Sequence, residues 1–145
     1  MGTLTMGKVM TAVKVENGVD VYNAEKGIIT PEQVHRIEVA DALVDTGSTY
    51  LAMPRRLIEQ LGFEKPFTTA QARTTRGSVV SNIYGPVRLT IQDRLCNVDI
   101  AEVDDGCPVL VGQVPLEILD LVIDTKGQRL IGNPASGGEH MFDLY

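Results

Sequence analysis

The sequence feature that most constrains the fold is an apolar run that ends in a carboxylate. The segment Ala42-Leu-Val-Asp-Thr-Gly-Ser-Thr49 places Asp45 behind three apolar residues and in front of a glycine and small hydroxylated residues. A carboxylate set into an apolar strand is costly unless it is hydrogen-bonded or paired. The residues from Ile37 to Val44 are predicted to form a strand, so Asp45 is expected where a buried strand ends.

Short strand patterns separated by turns fill much of the remaining chain. Apolar and polar residues alternate from Val9 to Glu16, and Asn17-Gly18 predicts a turn into Val19 to Tyr22, which together indicate an opening β-hairpin. Asp124 to Gly127 is predicted to be the turn of another hairpin. The further predicted strands are Val87 to Ile91, Cys96 to Val103, Val109 to Val111, Leu121 to Ile123, Arg129 to Ile131 and His140 to Tyr145.

Helical signals are few. Pro54 is predicted to begin a short helix with Gly62 as its C-cap, and a second short helix is predicted to begin near Pro115. The stretch from Gly27 to Pro31 reads as a connection. The predicted fold class is therefore mainly β, with one or two short helices.

A threonine-rich ribbon follows the first helix. The residues from Thr68 to Val80, here called the flap hairpin, are predicted to be two strands joined by a turn at Thr74, Thr75, Arg76 and Gly77. An ordinary exposed hairpin is the alternative interpretation of this segment.

Length and composition predict one globular domain over residues 1–145, with residues 1–7 as a disordered tail. Hydrophobic residues make up 43% and charged residues 22% of the chain. No apolar run approaches the roughly 20 residues that cross a bilayer, so we expect no membrane partner. The N-terminus lacks the basic and apolar regions of a secretory signal, which predicts a cytoplasmic location.

Charge and cysteine usage exclude several other classes. The net charge of −6 argues against a nucleic-acid partner, because phosphates require a basic face. Cys96 and Cys107 fit neither a metal signature nor a disulfide framework and are predicted to be buried or partly buried free thiols. The run from Glu102 to Asp105 could bind a cation, although a solvated loop is the favoured interpretation. We therefore expect no metal and no cofactor.

Two motifs together resemble a known family. Leu43-Val-Asp-Thr-Gly-Ser48, with Val109-Leu-Val-Gly112 downstream, closely resembles one lobe of an aspartic protease. The single copy of the motif is similar to the retropepsin-like family of retroviral and bacterial proteases, and the resemblance covers nearly the whole chain. It implies a closed β-barrel-type single lobe with a flap hairpin, and an aspartic endopeptidase that acts on peptide or protein substrates.

The resemblance also implies roles for individual residues. Asp45 would be the catalytic carboxylate, and Gly47 would allow the tight turn after it. Thr46 would grip the partner loop across the active site, and Ser48 would bond the outer oxygen of Asp45. The residues Leu110, Val111 and Gly112 would pack beneath this loop, with the glycine allowing the close crossing.

Two features of the flap hairpin follow from the same resemblance. It would close over an extended peptide, exclude water and bond the substrate backbone. Arg73 and Arg76 depart from the glycine-rich, apolar flap tips of retroviral enzymes.

This chemistry needs two aspartates that share a proton, and the sequence has one suitable residue. Asp124-Thr125 imitates the motif, but Lys126 stands where the glycine should be. The resemblance therefore implies a two-fold homodimer in which each chain supplies Asp45 and the monomer is inactive. Met141 to Tyr145 is apolar enough to interleave with a partner. A catalytically silent dimerisation or peptide-binding module, and a turn aspartate in an unrelated β domain, are the alternatives.

Overall fold

The computed structural model describes residues 8–145, in which nine strands and three α-helices are found. The strands are β1 (Val9–Asn17), β2 (Arg36–Val44), β3 (Leu51–Pro54), β4 (Thr68–Thr74), β5 (Gly77–Ile91), β6 (Arg94–Val103), β7 (Leu110–Val111), β8 (Leu121–Asp124) and β9 (Arg129–Gly132). The helices are α1 (Gly18–Glu25), α2 (Arg55–Gln60) and α3 (Gln113–Leu119), with 3-10 turns at Pro31–Gln33 and Pro134–Ser136. The tail predicted for residues 1–7 lies outside the described residues.

The main sheet closes on itself. Its seven strands follow the order β1-β2-β7-β3-β6-β5-β4, and β1 also pairs with β5 from Lys14↔Thr90 to Asn17↔Val87. Six strands therefore form a barrel without a free edge, and β4 extends from the first half of β5. Strands β8 and β9 form a separate hairpin. The predicted mainly β, closed-barrel lobe is confirmed.

The barrel interior is filled by aliphatic side chains from every wall. Val15, Leu89, Ile100 and Val111, which come from four different strands, are fully buried. Cys96 belongs to the same cluster, whereas Cys107 is half-buried, and both are free thiols as predicted. This packing fixes the end of β2, where Asp45 lies.

The predicted opening hairpin is wrong. Strand β1 forms as expected, but Asn17 caps helix α1, and the residues from Val19 to Tyr22 are helical. The side-chain oxygen of Asn17 accepts hydrogen bonds from the amides of Val19 (3.0 Å) and Asp20 (3.1 Å). An Asn-Gly pair can begin a helix as well as form a turn, because asparagine is also a preferred N-cap.

The two predicted helices are confirmed, so α1 is a third. Pro54 is the N-cap of α2, and Gly62 follows its last residues with a φ of 84°, a conformation that glycine adopts without strain. Helix α3 begins at Gln113, two residues before the predicted Pro115.

The predicted last strand is also wrong. Residues 140–145 form no strand, and the side chains of Met141, Phe142, Leu144 and Tyr145 are exposed. The carboxylate of Asp120 instead anchors the start of this segment by accepting a hydrogen bond from the amide of Met141 (3.1 Å). The apolar residues beyond this anchor therefore have no neighbouring strand within the described part of the chain.

Residues 8–145 contain neither a membrane-spanning helix nor a group of side chains placed to hold a metal ion. No helix in this range has the length and hydropathy needed to cross a bilayer. Within the same range, no group of three or more histidine, cysteine, aspartate or glutamate side chains is arranged to hold a metal ion.

Candidate active site

Strand β7 holds the end of β2 in place. The two strands run parallel, with Leu43 opposite Leu110 and Val44 opposite Val111. The Leu43 amide donates to the Val109 carbonyl (2.8 Å), and the Asp45 amide donates to the Val111 carbonyl (2.9 Å). The backbone of Asp45 is therefore fixed by the sheet, while its side chain lies in the loop that follows.

The loop turns at once after Asp45. The carboxylate Oδ1 of Asp45 accepts from the Gly47 amide (3.0 Å), and the Ser48 amide donates to the Asp45 carbonyl (3.1 Å). Asp45 is half-buried, whereas Thr46 and Gly47 are exposed. The side-chain roles predicted for Thr46 and Ser48 depend on a partner loop and stay predictions.

The start of helix α3 holds the active-site loop through backbone hydrogen bonds. The amides of Gly112 and of the first two residues of α3 donate to the carbonyls of Tyr50 (3.0 Å), Ser48 (2.8 Å) and Thr49 (3.0 Å). These contacts satisfy amides that a helix start leaves without partners inside the helix. A Cβ on Gly112 would lie 2.5 Å from the Tyr50 carbonyl oxygen, so only glycine fits this crossing.

Directly paired residues on neighbouring strands form one row of side chains that runs across the sheet from the Asp45 side of β2 to the flap hairpin. Directly paired residues share a face of a sheet, and the next-but-one residue along a strand returns to the same face. This row therefore continues the side of β2 on which Asp45 lies. It consists of Leu43, Leu110, Ala52, Ala101, Ile83 and Thr68.

The neighbouring row identifies which face looks into the core. Its members are all 4% exposed or less and consist of Val44, Val111, Leu51, Ile100 and Tyr84. On the Asp45 side, by contrast, Leu43, Leu110 and Ala101 are half-buried. Leu43, Leu110 and Ala101 therefore line a shallow apolar surface on the Asp45 side, while Ala52 (4% exposed) and Ile83 (3% exposed) in the same row are buried. Sequence reasoning missed these two alanines, because their strands could not be aligned with β2 from pattern alone.

The flap hairpin has the predicted strands and turn. Thr74 pairs with Gly77, which leaves Thr75 and Arg76 as a two-residue turn, and Gly77 has a φ of 114°. The Thr74 hydroxyl donates to the Gly77 carbonyl (2.9 Å) and accepts from the Arg76 amide (3.1 Å). The strands beyond the turn expose Val79 and Val80, so the hairpin projects from the barrel.

A polar cluster that the sequence did not reveal lies where the flap hairpin joins the barrel. The Glu102 Oε1 accepts from the Tyr84 hydroxyl (2.7 Å) and from the Asn82 amide group (3.4 Å). The Arg55 Nε lies 3.7 Å from the same oxygen. Burial raises the pKa of Tyr84, and the hydrogen bond to Glu102 acts in the same direction. We call Glu102, Tyr84, Asn82 and Arg55 the flap-root cluster.

Asp124 takes the structural role that the sequence predicted for it. It closes the β8–β9 hairpin opposite Arg129, and its Oδ1 accepts from the Lys126 amide (3.2 Å). Its Oδ2 lies 3.6 Å from the Arg129 Nε. Asp124 is therefore part of a hairpin turn and is not a second copy of the Asp45 loop.

Comparisons with known proteins bear on this site. A family model described as "Aspartyl protease" matches residues 33–132, a range that contains the Asp45 loop, the flap hairpin and the Gly112 crossing. No curated protein matches the sequence. Among solved structures, the chain is similar to the solution structure of Simian Foamy Virus (mac) protease, with 17% identity, a TM-score of 0.41, and coverage of 72% of this chain and 92% of that chain.

Proposed function

Because the chain belongs to the aspartyl protease family and is thus an aspartic-type endopeptidase, we propose that Asp45 is its catalytic residue. Two Asp45 carboxylates, one from each of two copies, would hold and activate the water that attacks the peptide carbonyl. One carboxylate acts as the base toward this water, while the protonated one donates to the carbonyl oxygen.

The geometry of the Asp45 loop is the observation that carries the proposal. The carboxylate follows the buried or half-buried last three residues of β2, is itself half-buried, and accepts a hydrogen bond from the Gly47 amide. The helix α3 amides hold the loop through Gly112, so the carboxylate is positioned by two independent elements. A positioned carboxylate on a rigid support is what general acid–base chemistry requires.

The second carboxylate comes from another copy of the chain. Asp45 is the one aspartate in this sequence that is followed by Thr-Gly, and Asp124 is held in a hairpin turn. A two-fold axis next to the loop would bring the two Asp45 side chains together and place Thr46 against the partner loop. We therefore propose a homodimer whose site is incomplete in either copy alone.

The surface beside Asp45 supports an extended peptide as the substrate. The surface formed by Leu43, Leu110 and Ala101 is apolar and half-buried, and the small side chain of Ala101 leaves space for a substrate side chain. The flap hairpin starts from the same row, at the Thr68–Ile83 pair. Closing the flap hairpin over a bound peptide would exclude water and offer the peptide backbone hydrogen-bonding partners.

Digestion of a peptide library between about pH 3 and 8 tests the proposal, with Asp45→Asn compared with the wild type. Since close carboxylates share one proton, we expect an acid-shifted optimum. We expect Asp45→Asn to lower cleavage by at least 10²- to 10⁴-fold, roughly the contribution of general acid–base catalysis. Its mass in solution and its thermal unfolding should match those of the wild type.

Three outcomes contradict the proposal. Cleavage retained by Asp45→Asn would remove the catalytic role from this residue. Full activity in a monomeric wild type would contradict the shared site. Peptide binding by the wild type without cleavage at any pH would favour the binding-module alternative.

A further inference from the structure

We infer that Glu102 is a positioning residue for the flap hairpin: its carboxylate ties the flap root to the barrel wall and thereby sets how tightly a peptide substrate is held. This inference rests on the proposed function, because it assumes that the flap hairpin covers the substrate. Glu102 does not belong to the catalytic loop. The sequence predicted it to lie in a solvated acidic loop, but it is part of strand β6 and its side chain is mostly buried.

The contacts of Glu102 join three separate elements. Its carboxylate oxygen accepts from Tyr84 and Asn82 on β5 and faces the Arg55 guanidinium at the start of α2. Its backbone carbonyl accepts from the Ser81 hydroxyl (3.0 Å). Glu102 therefore contacts three of the four consecutive β5 residues that lead from the flap hairpin into the barrel.

The surroundings make the Tyr84–Glu102 hydrogen bond (2.7 Å) the strongest of these contacts. Only 23% of the Glu102 side chain is exposed, and the Tyr84 ring is buried and lies 6.5 Å from the Phe63 ring, centroid to centroid. Hydrogen bonds to a charged acceptor are stronger than neutral ones, and a buried hydroxyl left without its acceptor is costly. The flap root is thus fixed on its core side by a group that has no equivalent further along the hairpin.

The rest of the flap hairpin is weakly held. From Thr68 to Thr74 and from Gly77 to Val80, the side chains are exposed or at most half-buried. An isolated hairpin is marginally stable, because it makes few contacts with the rest of a protein. The orientation of the flap hairpin is therefore determined by the contacts at its base. A looser base would spread the hairpin over more orientations and reduce the fraction that can close on a substrate.

Steady-state kinetics of Glu102→Ala and Tyr84→Phe test the role. Both variants remove the Tyr84–Glu102 hydrogen bond, and Tyr84→Phe does so with little change in shape. We expect KM for a peptide substrate to rise about tenfold, which corresponds to the loss of one charged hydrogen bond. We expect kcat to change much less, because Asp45 is not disturbed. Glu102→Gln, which keeps an acceptor oxygen, should restore part of the affinity.

Glu32→Gln is the matched control. Glu32 is exposed in the 3-10 turn and lies outside both the catalytic loop and the flap-root cluster, so this variant removes a carboxylate with no expected change in KM. Amide hydrogen exchange, measured by mass spectrometry, separates a loosened flap hairpin from a general loss of stability, which would raise exchange in all strands. Exchange should quicken in residues 68–82 of Glu102→Ala and stay unchanged in the β8–β9 hairpin.

Peptide binding in the Asp45→Asn background separates this inference from the proposed function. If Asp45→Asn binds peptide and the double variant with Glu102→Ala binds it about tenfold more weakly, the positioning role is supported independently of cleavage. Unchanged KM and unchanged flap exchange in Tyr84→Phe and Glu102→Ala would overturn the inference. So would an exchange increase that spreads evenly over all strands.

Discussion

At the scale of single residues, the site depends on groups that do no chemistry themselves. Asp45 can be positioned only because Gly112 lets the chain cross directly beneath the loop, where Ser48, Thr49 and Tyr50 present their carbonyls. The nearest atoms to an added Cβ are all backbone atoms, which cannot rotate away. Gly112 is therefore required by close approach and not by an unusual φ.

Replacing Gly112 with alanine should destabilise the fold and lower activity. Forcing a methyl group against fixed backbone costs about 1–3 kcal/mol, and the shift would move the loop that carries Asp45. Urea unfolding measures the first effect and peptide cleavage the second. Gly106→Ala is the matched control, because a Cβ there meets nothing within 4 Å. Equal stability of the two variants would show that the crossing relaxes freely.

At the scale of secondary structure elements, the first helix shows how one side chain decides between two local structures. Asn17 is 6% exposed, and its amide group donates to the Leu61 carbonyl (2.8 Å) while its oxygen caps α1. The same residue therefore links the end of β1, the start of α1 and the end of α2. A hairpin turn at Asn17-Gly18 would give up these contacts.

We expect Asn17→Ala to lower the free energy of unfolding by about 2–4 kcal/mol. Loss of an N-cap costs roughly 1 kcal/mol, and leaving the Leu61 carbonyl without its donor in a buried place adds about 1–3 kcal/mol. Denaturant unfolding is the measurement, with Asn97→Ala, a change at an exposed position of β6, as the control. If Asn17→Ala lowers the free energy of unfolding by less than the usual cost of losing an N-cap, water takes over the hydrogen bonds of the asparagine side chain.

At the scale of the whole molecule, the C-terminal segment is anchored at its start, and none of the described residues 8–145 covers the apolar side chains that follow. Asp120 has a φ of 55° and accepts hydrogen bonds from Asn133 (3.0 Å) and from the Met141 amide. The His140 ring and the Ile118 carbonyl are in hydrogen-bonding contact (2.9 Å). Beyond these contacts the side chains of Met141, Phe142, Leu144 and Tyr145 are exposed, and exposed apolar patches are typical of protein–protein contacts.

The hydrogen bond between the Asp120 carboxylate and the Met141 amide should weaken below about pH 4. Hydrogen bonds from Ser136 and then from Asn133 lower the pKa of Asp120 below its ordinary 3.8. A lowered pKa means that the carboxylate stabilises the folded anchor above about pH 4 and loses this effect as the pH falls through the folded value. Protection of the Met141 amide, followed by hydrogen exchange, should therefore decrease below about pH 4.

Asp120→Asn is the control for this pH dependence. Asparagine tolerates the left-handed backbone conformation, so the variant removes the titration without straining the turn. Protection of Met141 should be lower in this variant at pH 5 and should no longer change with acid. The same pH profile in both proteins would assign the effect to another group.

Removal of residues 140–145 should weaken the proposed homodimer. If this segment interleaves with a second copy, as the sequence predicts, the exposed Met141, Phe142 and Leu144 side chains become buried; an exposed apolar segment is otherwise a liability for aggregation. Light scattering over a range of concentrations measures the change, and the peptide-cleavage rate should fall with the dimer fraction. A full-length variant with serine at these three positions is the control for chain length. An unchanged dimer in both would refute the role of this segment.

Much of the fold was predictable because its signals are local. Alternating side chains gave most of the strands, Pro54 and Gly62 bracketed α2, and the Thr74–Gly77 turn followed from residues that lie next to one another. The Asp45 motif and the apolar-apolar-glycine element led to the correct family for the same reason. Each of these features is decided within a few residues, where sequence and conformation are directly coupled.

By itself, then, the sequence determined the β class, the single Asp45 loop, the family and the position of the flap hairpin. Only the tertiary structure decided that Asn17 caps a helix and that residues 140–145 form no strand. It also decided that Glu102 contacts Tyr84 at the flap root, and that Ala52 and Ala101 lie in the same row as Leu43. These outcomes depend on partners far away in the chain, such as the Leu61 carbonyl, 44 residues from Asn17. A short sequence pattern cannot report such a partner, because the free energy that selects between two local structures comes from contacts formed only when the barrel closes.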